Sequence, residues 1–186
     1  MQNVDQLEVG RLAALLQKRN EIDAQIAGLI GRPSLLGHIG EWIAAAIFGI
    51  NLNDSAIHQG FDGHFTGPPF EGRTVNAKLY GIRQNLLDMK EVGQPQPDFY
   101  LAMTGPRDLV TSSRGCHRPC VVREVFLFET EPLLQRLIGQ VKIGTSTSLR
   151  EKEWEAARIF PEFNKSTPMT LRRDQVTALE SLSGGV

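Results

Sequence analysis

Apolar residues recur every three or four positions along the first part of the chain, a spacing that gathers them on one face of an α-helix. The pattern predicts one long helix over residues 4–31, and Gly31 with Pro33 supplies its end. Its apolar stripe consists of Leu12, Leu15, Leu16, Ile22, Ile26, Leu29 and Ile30. The stripe could pack on its own domain or form a coiled-coil seam with a second copy, although Arg19 interrupts that seam. We expect a homodimer through this helix.

A second, shorter helical pattern covers residues 37–48. Gly49 is placed to close this helix, because glycine readily adopts the left-handed conformation that ends many helices. Glu41 lies within the first two turns, where the helix dipole favours a carboxylate.

Strand-like segments follow, marked by alternation of polar and apolar residues or by valine and aromatic residues. They cover residues 56–65, 73–81, 98–105 and 120–129. Helical patterns return at residues 130–140, 146–161 and 171–182. Thr130 is a candidate N-cap for the first of these. The order of elements predicts one α/β or α+β domain behind a helical N-terminal arm.

Composition and charge restrict the possible functions. The chain has 186 residues, of which 41% are hydrophobic and 22% charged, as expected for one globular domain with a substantial core. Its net charge of -1 provides no overall basic field, so any contact with nucleic acid must come from a local patch. No apolar run approaches the roughly 18 residues of a membrane span. No signal-peptide pattern is visible at the start, so we expect a cytoplasmic protein.

The segment "RTVNAKLYG" is informative because side chains along a strand alternate between two faces. Val75, Ala77 and Leu79 share one face and suit a hydrophobic core. Asn76 and Lys78 then point together towards the other face. A polar residue and a lysine on one face could belong to a site, although a solvent-facing strand lysine is the simpler interpretation.

Asp62 precedes Lys78 by 16 residues, in the segment "GFDG". It lies between Gly60 and Gly63, which allow the backbone to turn sharply. A bend there could bring the Asp62 carboxylate beside the strand that carries Lys78. The alternative is that Asp62 is a turn residue that accepts backbone hydrogen bonds.

Hydrolysis of a phosphodiester requires carboxylates that hold a divalent metal, and a lysine that orients water or stabilises developing charge. Asp62 and Glu41 could supply the two acids, and Lys78 the cation. A third oxygen ligand would complete the metal shell. Asn76 can offer only a neutral carbonyl oxygen, which is a weaker ligand for magnesium.

The succession "GHIGEWIAAAIFGI", "GFDG" and "VNAKLYG" resembles the PD-(D/E)XK, or restriction-endonuclease-like, superfamily. In that superfamily a helical glutamate precedes an aspartate on one strand and an acidic-X-Lys tripeptide on the next. The chain is most similar to a group of uncharacterised bacterial proteins that open with a long helix followed by "IGRP", and the resemblance covers about residues 30–105. It implies an α/β fold with a restriction-endonuclease-like core, in which helices flank a mixed central sheet. The implied parts are a helical arm, a nuclease-like domain and a C-terminal helix with a frayed tail, at residues 1–32, 33–163 and 164–186.

The resemblance also implies roles for individual residues. Asp62 would be the principal metal ligand and a catalytic residue, Glu41 a supporting metal ligand, and Lys78 the catalytic lysine. Asn76, an auxiliary ligand, stands where the superfamily usually has Glu, Asp or sometimes Gln. The implied activity is cleavage of nucleic acid, first of all DNA, with Mg²⁺ as the metal and Mn²⁺ as an alternative. The rival is an inactive nuclease-fold protein that binds nucleic acid or acts as a dimeric assembly module.

Residues outside the core motif could assist at such a site. The segment 104–123 is predicted to be a long loop, which could reach a phosphate backbone or serve only as a solvated connection. Its candidate nucleic-acid-binding residues are Arg107, Arg114 and Arg118. His58 and His64 flank Asp62 and are secondary candidates for proton donation or metal binding, with an ordinary surface role as the alternative.

Overall fold

The computed structural model of the protein describes residues 6–53, 60–107, 119–162, 167 and 169–184. Within these ranges the helices are α1 (Gln6–Ile30), α2 (Leu36–Phe48), α3 (Thr130–Leu137), α4 (Glu151–Ala157) and α5 (Arg173–Leu182). The strands are β1 (Ile50–Leu52), β2 (Gly63–Phe65), β3 (Thr74–Tyr80), β4 (Leu86–Leu87), β5 (Phe99–Thr104), β6 (Glu124–Glu129), β7 (Thr147–Ser148) and β8 (Arg158–Phe160). The first two predicted helices are confirmed as α1 and α2, and Gly49 ends α2 with a φ of 66°.

The central sheet has the strand order β1-β2-β3-β5-β6-β8. Strands β3 and β5 are parallel, whereas the other neighbouring pairs are antiparallel. The predicted α/β class with a mixed sheet is therefore confirmed. A parallel pair requires a crossover connection, and here the crossover contains β4, which pairs with β7 in a small second sheet.

Both faces of the central sheet are buried by helices. On one face, Val75, Ala77 and Leu79 of β3 belong to a core cluster that also contains apolar residues of α2 and α5. On the other face, Tyr100 of β5 packs in a cluster with fully buried Trp154 of α4 and with residues of α3. Burial of each large apolar side chain stabilises the fold by roughly 1.5–3 kcal/mol. The predicted alternation along β3 is confirmed by this arrangement.

Helix α5 completes the first of these clusters. Leu179 is fully buried, and the side-chain Nε2 of Gln175 donates a 2.8 Å hydrogen bond to the carbonyl of Ile47 in α2. The backbone N–H of Val122 also donates to the carbonyl of Leu182, at 2.9 Å. The helix predicted near the C-terminus is thus confirmed and shares the core of the central sheet. The domain boundaries at residues 32 and 163 stay predictions.

Helix α1 is the least integrated of the helices. It has no buried residue, and Leu12, Leu15, Ile22 and Leu29 are all more than half exposed. Its apolar stripe is therefore not covered by the described part of the chain, and the homodimer stays a prediction. Among the described helices, none combines the length and apolar character needed to cross a bilayer.

The single helix predicted over residues 146–161 is wrong. This segment divides into β7, the short helix α4 and the edge strand β8, which pairs with β6. Ile159 and Phe160 are buried in the core, where β-branched and aromatic side chains fit the pleated surface of a sheet. Packing in the folded chain therefore outweighs the local helical pattern.

Two local predictions also need correction. Thr130 is not an N-cap, because α3 begins with Thr130 itself and Glu129 takes the cap position without a side-chain hydrogen bond. Of the strand predicted over residues 56–65, only β2 is formed in the described part, and residues 54–59 lie outside it. Strands β1 and β4 were not predicted.

Candidate functional site

A polar cleft of about 490 Å³ opens beside β3. Its walls come from α2, from the segment before β2, from β3 itself and from the loop that follows β4. The four principal residues predicted to bind metal or to act in catalysis line this cleft: Glu41, Asp62, Asn76 and Lys78. Side chains from a helix, a loop and a strand are therefore brought to one place.

The position of Glu41 depends on close packing between α2 and β3. A Cβ atom on Gly40 would lie 2.6 Å from the Cβ of Leu79, so any side chain at this position would push the helix away from the strand. The next residue, Glu41, accepts a 2.6 Å hydrogen bond at Oε2 from Nη1 of Arg32. Arg32 lies in the connection between α1 and α2, and it fixes and partly neutralises the Glu41 carboxylate.

Asp62 lies immediately before β2, where that strand separates from β3. Its backbone N–H still donates to the carbonyl of Val75, at 3.0 Å. Further along β3, the N–H of Ala77 donates to Oδ2 of Asp62 at 2.7 Å. The carboxylate thus takes a hydrogen bond from the strand edge. The expected approach of Asp62 to the strand that carries Lys78 is confirmed.

Asn76 and Lys78 stand at alternate positions of β3. Asn76 is only 5% exposed, and its Oδ1 has no hydrogen-bond partner among the described residues. A buried acceptor without a partner costs roughly 1–3 kcal/mol, which a ligand that binds oxygen would recover. Lys78 is half-buried, and its ammonium group forms no hydrogen bond or ion pair with another described residue.

The two carboxylates are harder to ionise than ordinary carboxylates. Burial raises the pKa of Asp62, and the nearby Lys78 ammonium opposes this effect without cancelling it. Burial also raises the pKa of Glu41, the negative charge of Asp62 adds to the rise, and Arg32 acts in the opposite direction. Partly buried carboxylates that repel one another are typical of sites that bind a cation or transfer a proton.

The donor set fits a hydrated magnesium ion. Mg²⁺ is usually bound through one or two carboxylates and keeps several of its water ligands. Within the described ranges, no group of three or more Asp, Glu, His or Cys side chains is arranged to hold a metal. Glu41, Asp62 and Oδ1 of Asn76 could supply the protein oxygens to such an ion.

Arg107, predicted to bind nucleic acid, is engaged in ion pairs outside the cleft. Its guanidinium nitrogens lie 2.9 Å from Glu151, 3.1 Å from Glu155 and 3.3 Å from Glu124. Buried Arg83 pairs with two of the same carboxylates, those of Glu124 and Glu151. In the described part of the chain, Arg107 therefore ties β6 to α4.

The remaining predicted residues do not contribute to the described walls of the cleft. His64 lies in β2 opposite Thr74, and it is not one of the cleft residues in the described ranges. His58, Arg114 and Arg118 lie outside the described residues. Their predicted roles stay predictions.

The residues of the cleft that were not predicted from the sequence include Arg32, Lys90 and Tyr100. Arg32 is visible in the sequence only as part of the segment that ends the first helix. Lys90 lies in "LLDMKEV", which has neither strand alternation nor a turn motif. Tyr100 belongs to a predicted strand, but only the sheet register, which pairs it with Asn76, places it at this site.

No protein-family model matches the chain, and no curated protein is significantly similar to it in sequence. The functional interpretation therefore depends on the chemistry and geometry of the cleft.

Replacement of Asp62 by asparagine is expected to stabilise the fold at neutral pH. The pKa of Asp62 in the folded state is raised above its ordinary value near 3.8. Ionisation of this carboxyl therefore destabilises the folded state. The free energy of unfolding falls as the pH rises from about 3.8 to the raised pKa. The neutral amide removes this cost and can still accept the hydrogen bond of Ala77. We expect a gain of about 1 kcal/mol, or roughly 2–4 °C in Tm, which shrinks as the pH falls towards 4.

Asp98→Asn is the matched control in thermal unfolding measurements. Burial alone would raise the pKa of Asp98, but hydrogen bonds from Thr74 and Arg73 outweigh it and lower that pKa. Loss of this carboxylate should therefore reduce the Tm at neutral pH. A lower Tm for Asp62→Asn at pH 7 would show that Asp62 has a stabilising role instead.

Proposed function

We propose that this chain is a Mg²⁺-dependent nuclease that hydrolyses phosphodiester bonds of nucleic acid, with DNA as the first substrate to test. The observation that carries the proposal is the convergence of Glu41, Asp62, Asn76 and Lys78 on one cleft. Two carboxylates, together with an amide oxygen and a lysine ammonium that have no partner among the described residues, provide the kinds of group that metal-dependent attack on a phosphate requires.

Each residue of the cleft has a distinct task in this proposal. Bound Mg²⁺ would supply positive charge to the phosphate and lower the pKa of a coordinated water. Lys78 would donate hydrogen bonds to the phosphate oxygens on which negative charge develops. Arg32 keeps Glu41 oriented through its 2.6 Å hydrogen bond, and the N–H of Ala77 does the same for Asp62. Little reorganisation is then needed when metal and substrate bind.

The restriction-endonuclease-like core is part of the same proposal. A mixed sheet with helices on both faces supports it, as does the order in which the elements carry the site residues. Glu41 lies on α2, Asp62 follows beside β2, and Lys78 comes next on β3. A cytoplasmic location and a homodimer through α1 also belong to this proposal.

The rival function is that of an inactive nuclease-fold protein that binds nucleic acid or assembles as a dimer. It is favoured by the neutral side chain of Asn76, which stands at the position where the resemblance implies an acidic metal ligand. Such a protein should bind DNA with a steep salt dependence and should not need Mg²⁺. Asp62→Asn should then leave its function unchanged.

Cleavage of nucleic acid by purified protein tests the two functions against each other. Supercoiled plasmid DNA should be nicked in the presence of Mg²⁺, and EDTA should abolish the reaction. Single-stranded DNA and RNA oligonucleotides, tested in parallel, identify the substrate class. Asp62→Asn, which is expected to fold at least as well as the wild type, should be inactive.

Two results would count against the nuclease. If the wild type cuts none of these substrates with Mg²⁺ or Mn²⁺, the chain is not a nuclease of this kind. If Asp62→Asn cuts at the wild-type rate, the activity does not come from this cleft.

A further inference from the structure

The cleft contains a second lysine, which comes from a different part of the chain. Lys90 lies in the loop after β4 and lines the same cleft as Lys78. Its side chain passes over Gly60, where a Cβ atom would lie 3.4 Å from Cε and 3.6 Å from Nζ of Lys90. Lys90 is half-buried, and its ammonium group forms no hydrogen bond or ion pair with another described residue. The charge of Lys90 also acts on the carboxylate of Asp62.

Tyrosine hydroxyls hold the backbone of this loop against the sheet. The N–H of Asp88 donates to the hydroxyl of Tyr80 at 3.0 Å, and the N–H of Lys90 donates to the hydroxyl of Tyr100 at 2.8 Å. Tyr80 and Tyr100 are the only two tyrosines in the sequence, and they stand on the neighbouring strands β3 and β5. Both hydroxyls are therefore used to fix the segment that carries Lys90.

Gln96 holds the same loop from its other side. Its Oε1 accepts a 2.9 Å hydrogen bond from the hydroxyl of Tyr100, and its Nε2 donates to the carbonyls of Lys90 and Glu91 at 3.1 and 3.0 Å. The backbone of Lys90 is thus bound through both its N–H and its carbonyl. Because Tyr100 is only 1% exposed, this arrangement is anchored in the core. Such support is what a residue that positions a substrate requires.

We propose that Lys90 is a second phosphate-contacting residue, which binds a non-bridging oxygen of the nucleic-acid backbone and contributes mainly to substrate affinity. The inference rests on the proposed function, because it takes a phosphodiester as the occupant of the cleft. A lysine ammonium is a compact point charge that binds phosphate readily. Tyr100 and Gln96 are positioning residues that act through Lys90.

The alternative role for Lys90 is that of a counter-ion for Asp62. That role predicts a change in stability or in metal affinity when Lys90 is removed, but no change in the salt dependence of DNA binding. A phosphate contact instead predicts that DNA binding becomes less dependent on salt when Lys90 is removed. Each neutralised phosphate contributes about 0.9 to the slope of log K against log salt for duplex DNA.

The test measures binding and cleavage separately. Binding of a fluorescein-labelled DNA duplex is followed by anisotropy at several salt concentrations. The comparison is between the Asp62→Asn protein, which should not cleave the DNA, and the double variant that also carries Lys90→Ala. Lys90→Ala should weaken binding about tenfold and reduce the salt slope by about one. In the otherwise wild-type protein, Lys90→Ala should raise KM by a similar factor and leave kcat within about threefold.

Companion variants show whether the charge of Lys90 is responsible. Lys90→Arg should keep most of the affinity, and Tyr100→Phe, which loses the supporting hydroxyl, should raise KM less than Lys90→Ala does. Lys152→Ala removes a lysine of α4 whose side chain is 69% exposed and which is not among the residues that line the cleft, and it should change neither binding nor KM. Circular dichroism and Tm confirm that each variant is folded.

The outcomes separate this inference from the proposed function. If the wild type cleaves DNA but Lys90→Ala leaves affinity, salt slope and KM unchanged, the inference is wrong and the nuclease stands. If the wild type cleaves nothing but DNA binding still depends on Lys90, the inference stands and the nuclease is wrong. If protein that retains Lys90 does not bind DNA even at low salt, the inference is overturned.

Discussion

Replacement of Asn76 by aspartate is expected to tighten Mg²⁺ binding by about tenfold or more, which corresponds to about 1.4 kcal/mol. The change is isosteric and replaces a neutral amide oxygen by a carboxylate, the preferred ligand of magnesium. Without metal, the new charge would be buried beside Glu41 and Asp62, so the variant should be less stable than the wild type in EDTA. The difference in Tm between Mg²⁺ and EDTA should therefore widen.

Asn51→Asp is the matched control for this experiment. It makes the same chemical change on the exposed side chain of a β1 residue that does not line the cleft. It should leave Mg²⁺ affinity and the metal-dependent Tm shift at their wild-type values. If Asn76→Asp binds Mg²⁺ no better than Asn51→Asp, Asn76 does not face a metal site.

Loss of Lys78 is expected to have the largest effect on catalysis. Lys78→Ala should lower the single-turnover cleavage rate by roughly 10²–10³, because a positioned donor to the developing negative charge is removed. Lys78→Arg should recover only part of the rate, since a planar guanidinium on a longer side chain cannot occupy the same position. Metal affinity should not fall in Lys78→Ala, because a neighbouring cation is removed rather than a ligand.

The cleavage rate, the Tm and the Mg²⁺ affinity of Lys78→Ala together distinguish a catalytic lysine from a structural one. Loss of cleavage with intact folding and intact Mg²⁺ binding indicates a role in the reaction. Cleavage by Lys78→Ala within a few-fold of the wild-type rate would remove Lys78 from the mechanism. A large fall in Tm would instead indicate that the half-buried side chain supports the fold.

The sequence carries enough information to predict the centre of the cleft. Alternation along one strand separates Val75, Ala77 and Leu79 from Asn76 and Lys78. In the structure the first three side chains belong to the core cluster, whereas Asn76 and Lys78 line the cleft. This part is predictable because side-chain direction in a strand depends only on residue parity. The periodicity of the first two helices is also local, and both helices form where the pattern places them.

The sequence carries less information about features that depend on distant partners. Arg107 looks available for a phosphate in its loop segment, yet its carboxylate partners come from β6 and α4, up to 48 positions away. The loop of Lys90 is fixed by a tyrosine from each of two neighbouring strands, which no local pattern reveals. The helix predicted over 146–161 fails for the same reason, because β6 provides an edge to which β8 can pair.

The proposed function requires that Glu41, Asp62 and Asn76 form a site for a divalent cation. Calorimetric titration of the wild type and of Asp62→Asn with Mg²⁺, in buffers of different ionisation enthalpy, tests it most directly. We predict saturable one-to-one binding to the wild type that strengthens as the pH rises and releases protons, because metal binding requires ionised carboxylates whose pKa values are raised. Asp62→Asn should lose this binding. Absence of saturable binding to the wild type, or equal binding by both proteins, would show that these residues do not form a cation site.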